Sequence, residues 1–440
     1  MPSSTLHRPK TSRALLERIL AMPQLPAQVR ALPGPALGKL IERVGLEDAG
    51  ELIALATTEQ LGQIFDDDLW RSEGAGVDER FDSGRFVLWL EIFLEAGERA
   101  VAERLAELPH DLVTLAVHRH VLVIALDELR EALSDDDDDG AAAEKALASC
   151  LSEELDDYQL IWRGGEGWDS VLAALLALDH SHHDVLVELL ERCSYLSRQH
   201  IDDEGGLYQV LSADEMLEGD VSAEREQRRA ERGYVAPSAA AGFLRLALSA
   251  ATGETPFTEH DPLTRGYFRD LGPPAAPAGV APSPRSKARP LERLLSELSL
   301  ADQRRPRLTA ASTPTESEEP LLIRALGELA EEPELFAKRS DELAYVANTL
   351  VAGASFDGRR LRAAEAVEHA IASVSLGLEL LQREPGSAAM TARELLRRYP
   401  ADGLFRLAVS RARAAAPLAD EETAPEGLNR LRDLLKALKV

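Results

Sequence analysis

The residues best equipped for chemistry stand together at 179–184, DHSHHD, where His180, His182 and His183 lie between Asp179 and Asp184. Imidazole and carboxylate bind metal ions, and ligands on one helix converge only at i, i+3 or i+4, as in HExxH. Here the histidines are spaced i, i+2, i+3 in a turn between two expected helices. His180 and His183 are able to meet, with Asp184 as an oxygen donor, but no second ligand set accompanies them. The dipeptide His-Asp occurs also at His110-Asp111 and His260-Asp261. It is the pair used by all-helical metal phosphohydrolases, which hold one or two ions for attack on a phosphate ester. In those enzymes the pair faces the core from inside a helix, whereas all three pairs here fall at expected turns, where an aspartate suits an N-cap. Capping therefore accounts for each aspartate without a metal.

Other chemistry-bearing stretches carry less. His118 and His120, in VHRHV, point to different faces of one helix and read as partly buried histidines. The segment 163–167, RGGEG, lacks the lysine and the spacing of a phosphate loop. There is no GxSxG and no basic patch interleaved with aromatics. The five aspartates from Asp135 to Asp139 offer hard oxygen ligands to Ca²⁺ or Mg²⁺, but lack the alternating spacing of a built calcium loop, so a solvated inter-helix loop is expected. Neither catalytic nor cofactor-binding nor metal-binding residues are assigned on this basis.

The elements that would position these groups read as short amphipathic helices. In residues 37–70, Leu37, Leu40, Ile41 and Val44 share one face of a helix that Gly45 ends. Leu52, Ile53, Leu55 and Ala56 continue after Asp48 as a cap. Thr57 and Gln60 have capping-box spacing ahead of Leu61, Ile64 and Phe65. Helices are expected again at 13–22, 86–96 with Trp89 on its flank, 99–108 before Pro109, 112–133 capped by Asp111, 143–161, 168–178, 184–196 and 224–233. Asp48 to Phe65 and Asp169 to Leu190 share one outline, an Asp-led apolar helix, a polar turn and a second apolar helix. Residues 271–320 turn to Pro, Ala and Ser, the composition of a linker, with one short helix at 291–300. Beyond it, Ser340 is placed to cap a helix bearing Leu343, Val346, Ala347, Leu350 and Val351 that stops at Gly353. Helices at 363–381, 392–398, 404–415 and 428–438 follow.

Composition agrees with many small helix contacts. Of 440 residues 45% are hydrophobic but only 5% aromatic, and Ala, Leu, Glu and Arg favour helix over a Val/Thr/Tyr-rich sandwich. A net charge of -27 repels phosphate backbones and anionic lipid, which argues against nucleic acid or a membrane face as partner. The two cysteines, Cys150 and Cys193, form no CxxC pair and read as buried free thiols. The basic N-terminus lacks an apolar signal core and the longest apolar runs, 121–126 and 171–178, are too short to span a bilayer, so a cytoplasmic protein is expected.

Three stretches, GLEDAGELIALATTEQLGQIFDDDLW, the segment 201–244 and ELAYVANTLVAGASFDGRRLRAAEAVEHAIASVSLGLELL at 342–381, together resemble a bacterial family of uncharacterised proteins known only as a domain of unknown function. That resemblance implies a mainly helical protein over nearly the whole chain and carries no functional residues. The helix-pair outline is also similar in shape to the helical cytoplasmic domain of magnesium transporters, which gives no function.

The fold expected is all-α. It has an N-terminal arm (1–35) with one helix, an irregular helical-repeat, α-solenoid-like body (36–270), a linker (271–320) and a smaller helical domain (321–440). The function expected is a non-enzymatic scaffold that holds another protein on stacked helices. The competing expectation is a metal-dependent hydrolase centred on His180, His183 and Asp184. A third is an acidic regulator that holds a basic partner through Asp135 to Asp139.

Overall fold

Greasy stripes on short helices are buried where the spacing puts them. The computed structural model describes residues 12–134, 147, 149–202, 213–249, 258–271, 291, 320–356, 359–384, 386–387 and 389–415. Of the described residues 74% are helical, in nineteen helices accompanied by small sheets. The segment 135–139, most of the 271–320 stretch and the helix expected at 428–438 lie outside the described residues.

By internal packing the chain divides into two units. Unit 1 comprises Met1–Arg71, Phe81–Arg225 and Pro282–Arg307; unit 2 comprises Ser72–Arg80, Glu226–Ala281 and Leu308–Val440. Each therefore draws on separated pieces of sequence rather than on one continuous stretch.

Unit 1 opens with α1 (Ser12–Leu20), α2 (Leu25–Arg30), α3 (Gly34–Val44), α4 (Gly50–Leu55) and α5 (Thr58–Asp68). Leu37, Leu40, Ile41 and Val44 are buried on α3, and Gly45 ends that helix with φ 105°. Thr57 and Gln60 form the expected capping box, each backbone N–H donating to the other's side chain at 2.9 and 3.2 Å. Gln60 Nε2 also donates to the carbonyls of Val29 and Leu32 at 2.8 and 2.7 Å, so one buried amide starts α5 and holds the end of α2. Asp48 is not a cap. It sits within a 3₁₀ turn, and Ala49 precedes α4.

After β1 (Trp70–Arg71) and β2 (Arg80–Phe81) come α6 (Ser83–Glu95), α7 (Glu98–Glu107) and α8 (His110–His120). Trp89, expected on the flank of α6, is wholly buried, and its indole donates to Asp68 at 2.7 Å. The single helix expected over 112–133 is broken. Its apolar run 121–126 forms β3 (Val121–Ala125), which turns directly into α9 (Leu126–Ser134). Within the helix expected at 143–161, the described residues from 152 on instead form β4 (Ser152–Leu155) and β5 (Tyr158–Trp162), which join β3 in an antiparallel sheet of order β3-β5-β4. Alternation explains the outcome. Val121, Val123, Leu160 and Trp162 are buried on β-branched and aromatic strands, and Asp156, at φ 55°, makes the two-residue hairpin with Asp157.

The glycine turn at 163–167 leads into α10 (Trp168–Ser181). Gly167 has φ 104°, and a Cβ there would meet Val87 Cγ1 at 2.4 Å, so only glycine fits. Then follow α11 (His183–Asp202) and α12 (Ala213–Glu231), the latter lying across a unit boundary in the chain. Arg225 on α12 is 1% exposed, donates to the Asp66 carbonyl and lies 4.6 Å over the Trp70 ring.

Unit 2 contains α13 (Pro237–Ser249), α14 (Pro262–Asp270), α15 (Leu321–Leu329), α16 (Pro333–Gly353), β6 (Ser355–Phe356), β7 (Arg359–Arg360), α17 (Ala363–Arg383), α18 (Ala392–Arg398) and α19 (Ala401–Ala415). Ser340 is inside α16 rather than at its cap; its hydroxyl donates to the Phe336 carbonyl. Phe243 packs edge-on to Tyr345 and stacks on Phe405. A Cβ at Gly377 would stand 2.4 Å from the Leu404 carbonyl oxygen, so glycine lets α17 and α19 approach at the backbone. The strap Ser72–Arg80 is held in this unit. Gly76 N donates to Ala352 O at 3.0 Å, and buried Glu79 pairs with Arg229 and Arg360 at 3.1 and 2.9 Å.

Candidate functional site

Where DHSHHD falls, α10 ends at Ser181, His182 is the junction and α11 begins at His183. Asp179 and His183 are thus four residues apart and meet, Nδ1 to Oδ1 at 2.9 Å. That hydrogen bond, with weaker help from neighbouring acids, raises the His183 pKa above its ordinary value. The partner that His183 finds is Asp179, not the His180 and Asp184 of the sequence reading. Among the described residues no three His, Cys, Asp or Glu side chains converge as a metal site requires.

The three His-Asp pairs differ from one another. Only Asp261 caps a helix: Oδ1 accepts from the N–H groups of Leu263 and Thr264, and Oδ2 accepts from the Thr264 hydroxyl. At α8 the cap is Pro109, and Asp111 instead pairs with Arg192 while His110 Nδ1 stands 3.1 Å from Glu188. At α11, Asp184 lies in the first turn. His118 and His120 are both buried. His120 Nε2 donates to the Ser83 carbonyl and the ring stacks on Trp162, with burial lowering its pKa. The Arg163 guanidinium donates to His118 Nε2 at 3.3 Å. Cys193 is buried and its thiol is pushed up to about 12 by that burial, whereas Cys150, expected in an apolar pattern, is exposed in a turn.

Two arrangements remain after these. In unit 1 a small cleft is lined by Leu105 of α7, His110, Val113 and Thr114 of α8, Leu178 of α10, and Val185, Glu188, Leu189 and Arg192 of α11. Its floor is aliphatic and its rim carries the His110–Glu188 and Asp111–Arg192 pairs, which cross between α8 and α11. On α11, Val185, Glu188, Arg192 and Tyr195 follow helical spacing along one face, and Tyr195 is 58% exposed.

In unit 2 six ionisable groups are gathered inside the fold. Arg339 on α16 holds Glu342, one turn on, with Nη1 2.6 and 2.8 Å from its two oxygens. Glu342 also accepts from Ala401 N at 2.8 Å, the first residue of α19. On α19, Asp402 accepts from Arg406 at 3.3 Å, and Arg406 Nε stands 3.8 Å from Asp261. His260 bridges the two halves, with Nδ1 2.8 Å from Asp402 and Nε2 3.5 Å from Glu342. Side chains of Glu342, Asp402 and Asp261 are at most 2% exposed. Burial pushes the Glu342 carboxyl up against the pull of Arg339, while the hydrogen bond that His260 donates to Asp402 raises the His260 pKa above its ordinary value. The sequence reading passed over all these groups but His260 and Asp261. Their trace is charge on an apolar face: Arg339 and Glu342 share the side of α16 that carries Leu343, Val346 and Leu350.

The fold and these groupings define a mainly helical protein of two units, with an aliphatic cleft in the first and a buried charge cluster in the second. The chain belongs to the Family of unknown function (DUF6178), whose sequence profile matches residues 6–203 and 281–433. No curated protein matches it, and no solved structure does. Among the described residues no helix is long and apolar enough to cross a membrane.

Proposed function

We propose that this protein works without catalysis, as a scaffold that binds another protein, and that the cleft of unit 1 with the adjoining face of α11 is the contact surface. Under this reading the helices of unit 1 serve as an irregular helical-repeat platform. One observation carries the proposal. The aliphatic floor of Leu105, Val113, Leu178, Val185 and Leu189 opens on the α11 face that ends in exposed Tyr195. An aliphatic patch beside an exposed tyrosine, rimmed by charged groups, is the composition of a binding hot spot. The ionisable groups on the rim are engaged with one another across the cleft, which supports a binding role over one in proton transfer. Glu188 at the rim and the net charge of -27 favour a partner whose aliphatic anchor is flanked by lysine or arginine.

The experiment is capture from native extract with the full chain and with a Val185→Asp/Tyr195→Ala variant. A protein retained by the first and lost by the second, with retention weakening in salt, is the expected result. Identical captures by both would count against the site. The hydrolase reading predicts instead stoichiometric bound metal and phosphate-ester hydrolysis, both lost in His183→Ala.

A further inference from the structure

We propose that protonated His260 is an electrostatic clamp fastening the start of α14 onto α16 and α19, and that the clamp lets go as the medium turns alkaline. The inference is independent of the binding role proposed for unit 1.

The geometry argues it twice. Each ring nitrogen faces a carboxylate, Nδ1 toward Asp402 on α19 and Nε2 toward Glu342 on α16. Only the imidazolium has an N–H on both nitrogens; a neutral ring would turn a lone pair toward one of the two acids. The charge count agrees. Glu342, Asp402 and Asp261 set three negative charges against the two positive charges of Arg339 and Arg406, so the cluster is neutral only when His260 carries the sixth charge. An uncompensated charge at this depth is costly. Lys338 on α16 opposes the charge on His260, more weakly than either carboxylate favours it.

His260 lies in the stretch that enters α14, directly before the capping Asp261. The same stretch is tied by Arg406, which donates to the Glu259 carbonyl at 2.8 Å. Losing the proton therefore weakens the tie between residues 259–270 and both long helices together. The sign follows from linkage. A histidine whose folded pKa exceeds its ordinary 6.5 contributes fully below that value, and the contribution fades as pH rises through the folded one.

The test is a titration of the histidine ring resonances in the intact protein, with His260 assigned by the signal missing from His260→Gln. Amide exchange in α14 is measured alongside it over pH 6 to 9, corrected for intrinsic rate. The expected result is a midpoint above 6.5 and an opening constant for α14 that grows by at most about tenfold per pH unit up to that midpoint, then levels. Asp402→Asn is expected to lower the midpoint, and His260→Gln to open α14 already at pH 6 with no further dependence on pH. A midpoint at or below 6.5 in the unmodified protein would overturn the proposal, as would an unchanged pH-dependent opening in His260→Gln. Where His260→Gln does not fold, through-bond connectivity from ring to backbone in the isotope-labelled unmodified protein assigns the signal instead.

Discussion

Arg339→Leu isolates the cost of the buried charge cluster and makes that cost depend on pH. Arg339 gives two hydrogen bonds to Glu342 and one each to the carbonyls of Leu396 and Arg397, at 2.6 and 3.3 Å. Leucine removes all four, and Glu342, with a side chain 1% exposed, loses its guanidinium. The carboxyl then has two options, to stay ionised in an apolar surrounding or to take a proton. The proton sets the ceiling. Neutralising a carboxyl of ordinary pKa 4.5 at pH 7 costs about 3.4 kcal/mol, and at pH 5 about 0.7 kcal/mol, at roughly 1.36 kcal/mol per pH unit. The first figure lies in the range of about 3–5 kcal/mol found when a buried pair loses one member. The two orphaned carbonyls add a part that does not change with pH. In the variant the folded state keeps a proton that the unfolded chain releases, so the contribution of Glu342 to stability is greatest below about pH 4.5 and falls as pH rises. Urea unfolding followed by circular dichroism at pH 5 and pH 7 should show a penalty larger at pH 7 by up to about 2.7 kcal/mol. Amide exchange across α16 and α19 locates it. Tryptophan fluorescence serves as a control, because Trp70, Trp89, Trp162 and Trp168 all belong to unit 1. Adding Glu342→Leu should restore part of the loss. Equal penalties at the two pH values, or a double variant no better than the single one, would refute the assignment of Glu342 as a buried carboxylate neutralised by Arg339.

Two further outcomes test the packing. Gly377→Ala should cost about 1–3 kcal/mol, since its methyl group meets the Leu404 backbone, while Gly327→Ala in open space should be neutral or stabilise by up to about 1 kcal/mol; urea midpoints of the two variants make the comparison. Of the two thiols, exposed Cys150 should label in the native protein at pH 8, and Cys193 only after unfolding, as counted by mass spectrometry.

What was legible in the sequence was whatever neighbouring residues decide. The stripe of α3, the stop at Gly45, the Thr57–Gln60 capping box, the break at Pro109 and the turn around Gly164, Gly165 and Gly167 all arise within a few residues. The sheet of unit 1 was misread because a short apolar run suits a buried strand and a buried helix alike. Val121 to Ala125 becomes a strand because Tyr158 to Trp162 supplies a partner, and that partner stands more than thirty residues away. The Asp156-Asp157 pair was the local hint, an aspartate hairpin between alternating segments. Ser340 misled for the opposite reason. A serine ahead of an apolar stripe looks like a cap, yet α16 begins a full two turns earlier at Pro333.

The chemistry-bearing residues show the same division more sharply, because one dipeptide met different fates. His110-Asp111 and His260-Asp261 are alike as sequence, and the local rule that aspartate caps helices holds for the second and fails for the first, where proline takes the cap. Each histidine instead takes its role from a carboxylate far along the chain, Glu188 for His110 and Asp402 for His260, 78 and 142 residues distant. The first pair stands in solvent at a cleft rim, where water screens it and the tie is weak. The second is grouped with two arginines and two further acids, where the same ring, itself 20% exposed, changes the net charge of a largely buried cluster. The hydrogen bond to Asp402, which no dipeptide encodes, is thus what raises this histidine's hold on its proton against the opposing effect of burial. A charged pair recurring on the apolar face of a long helix, as Arg339 and Glu342 do on α16, is the sequence feature that would have pointed to it.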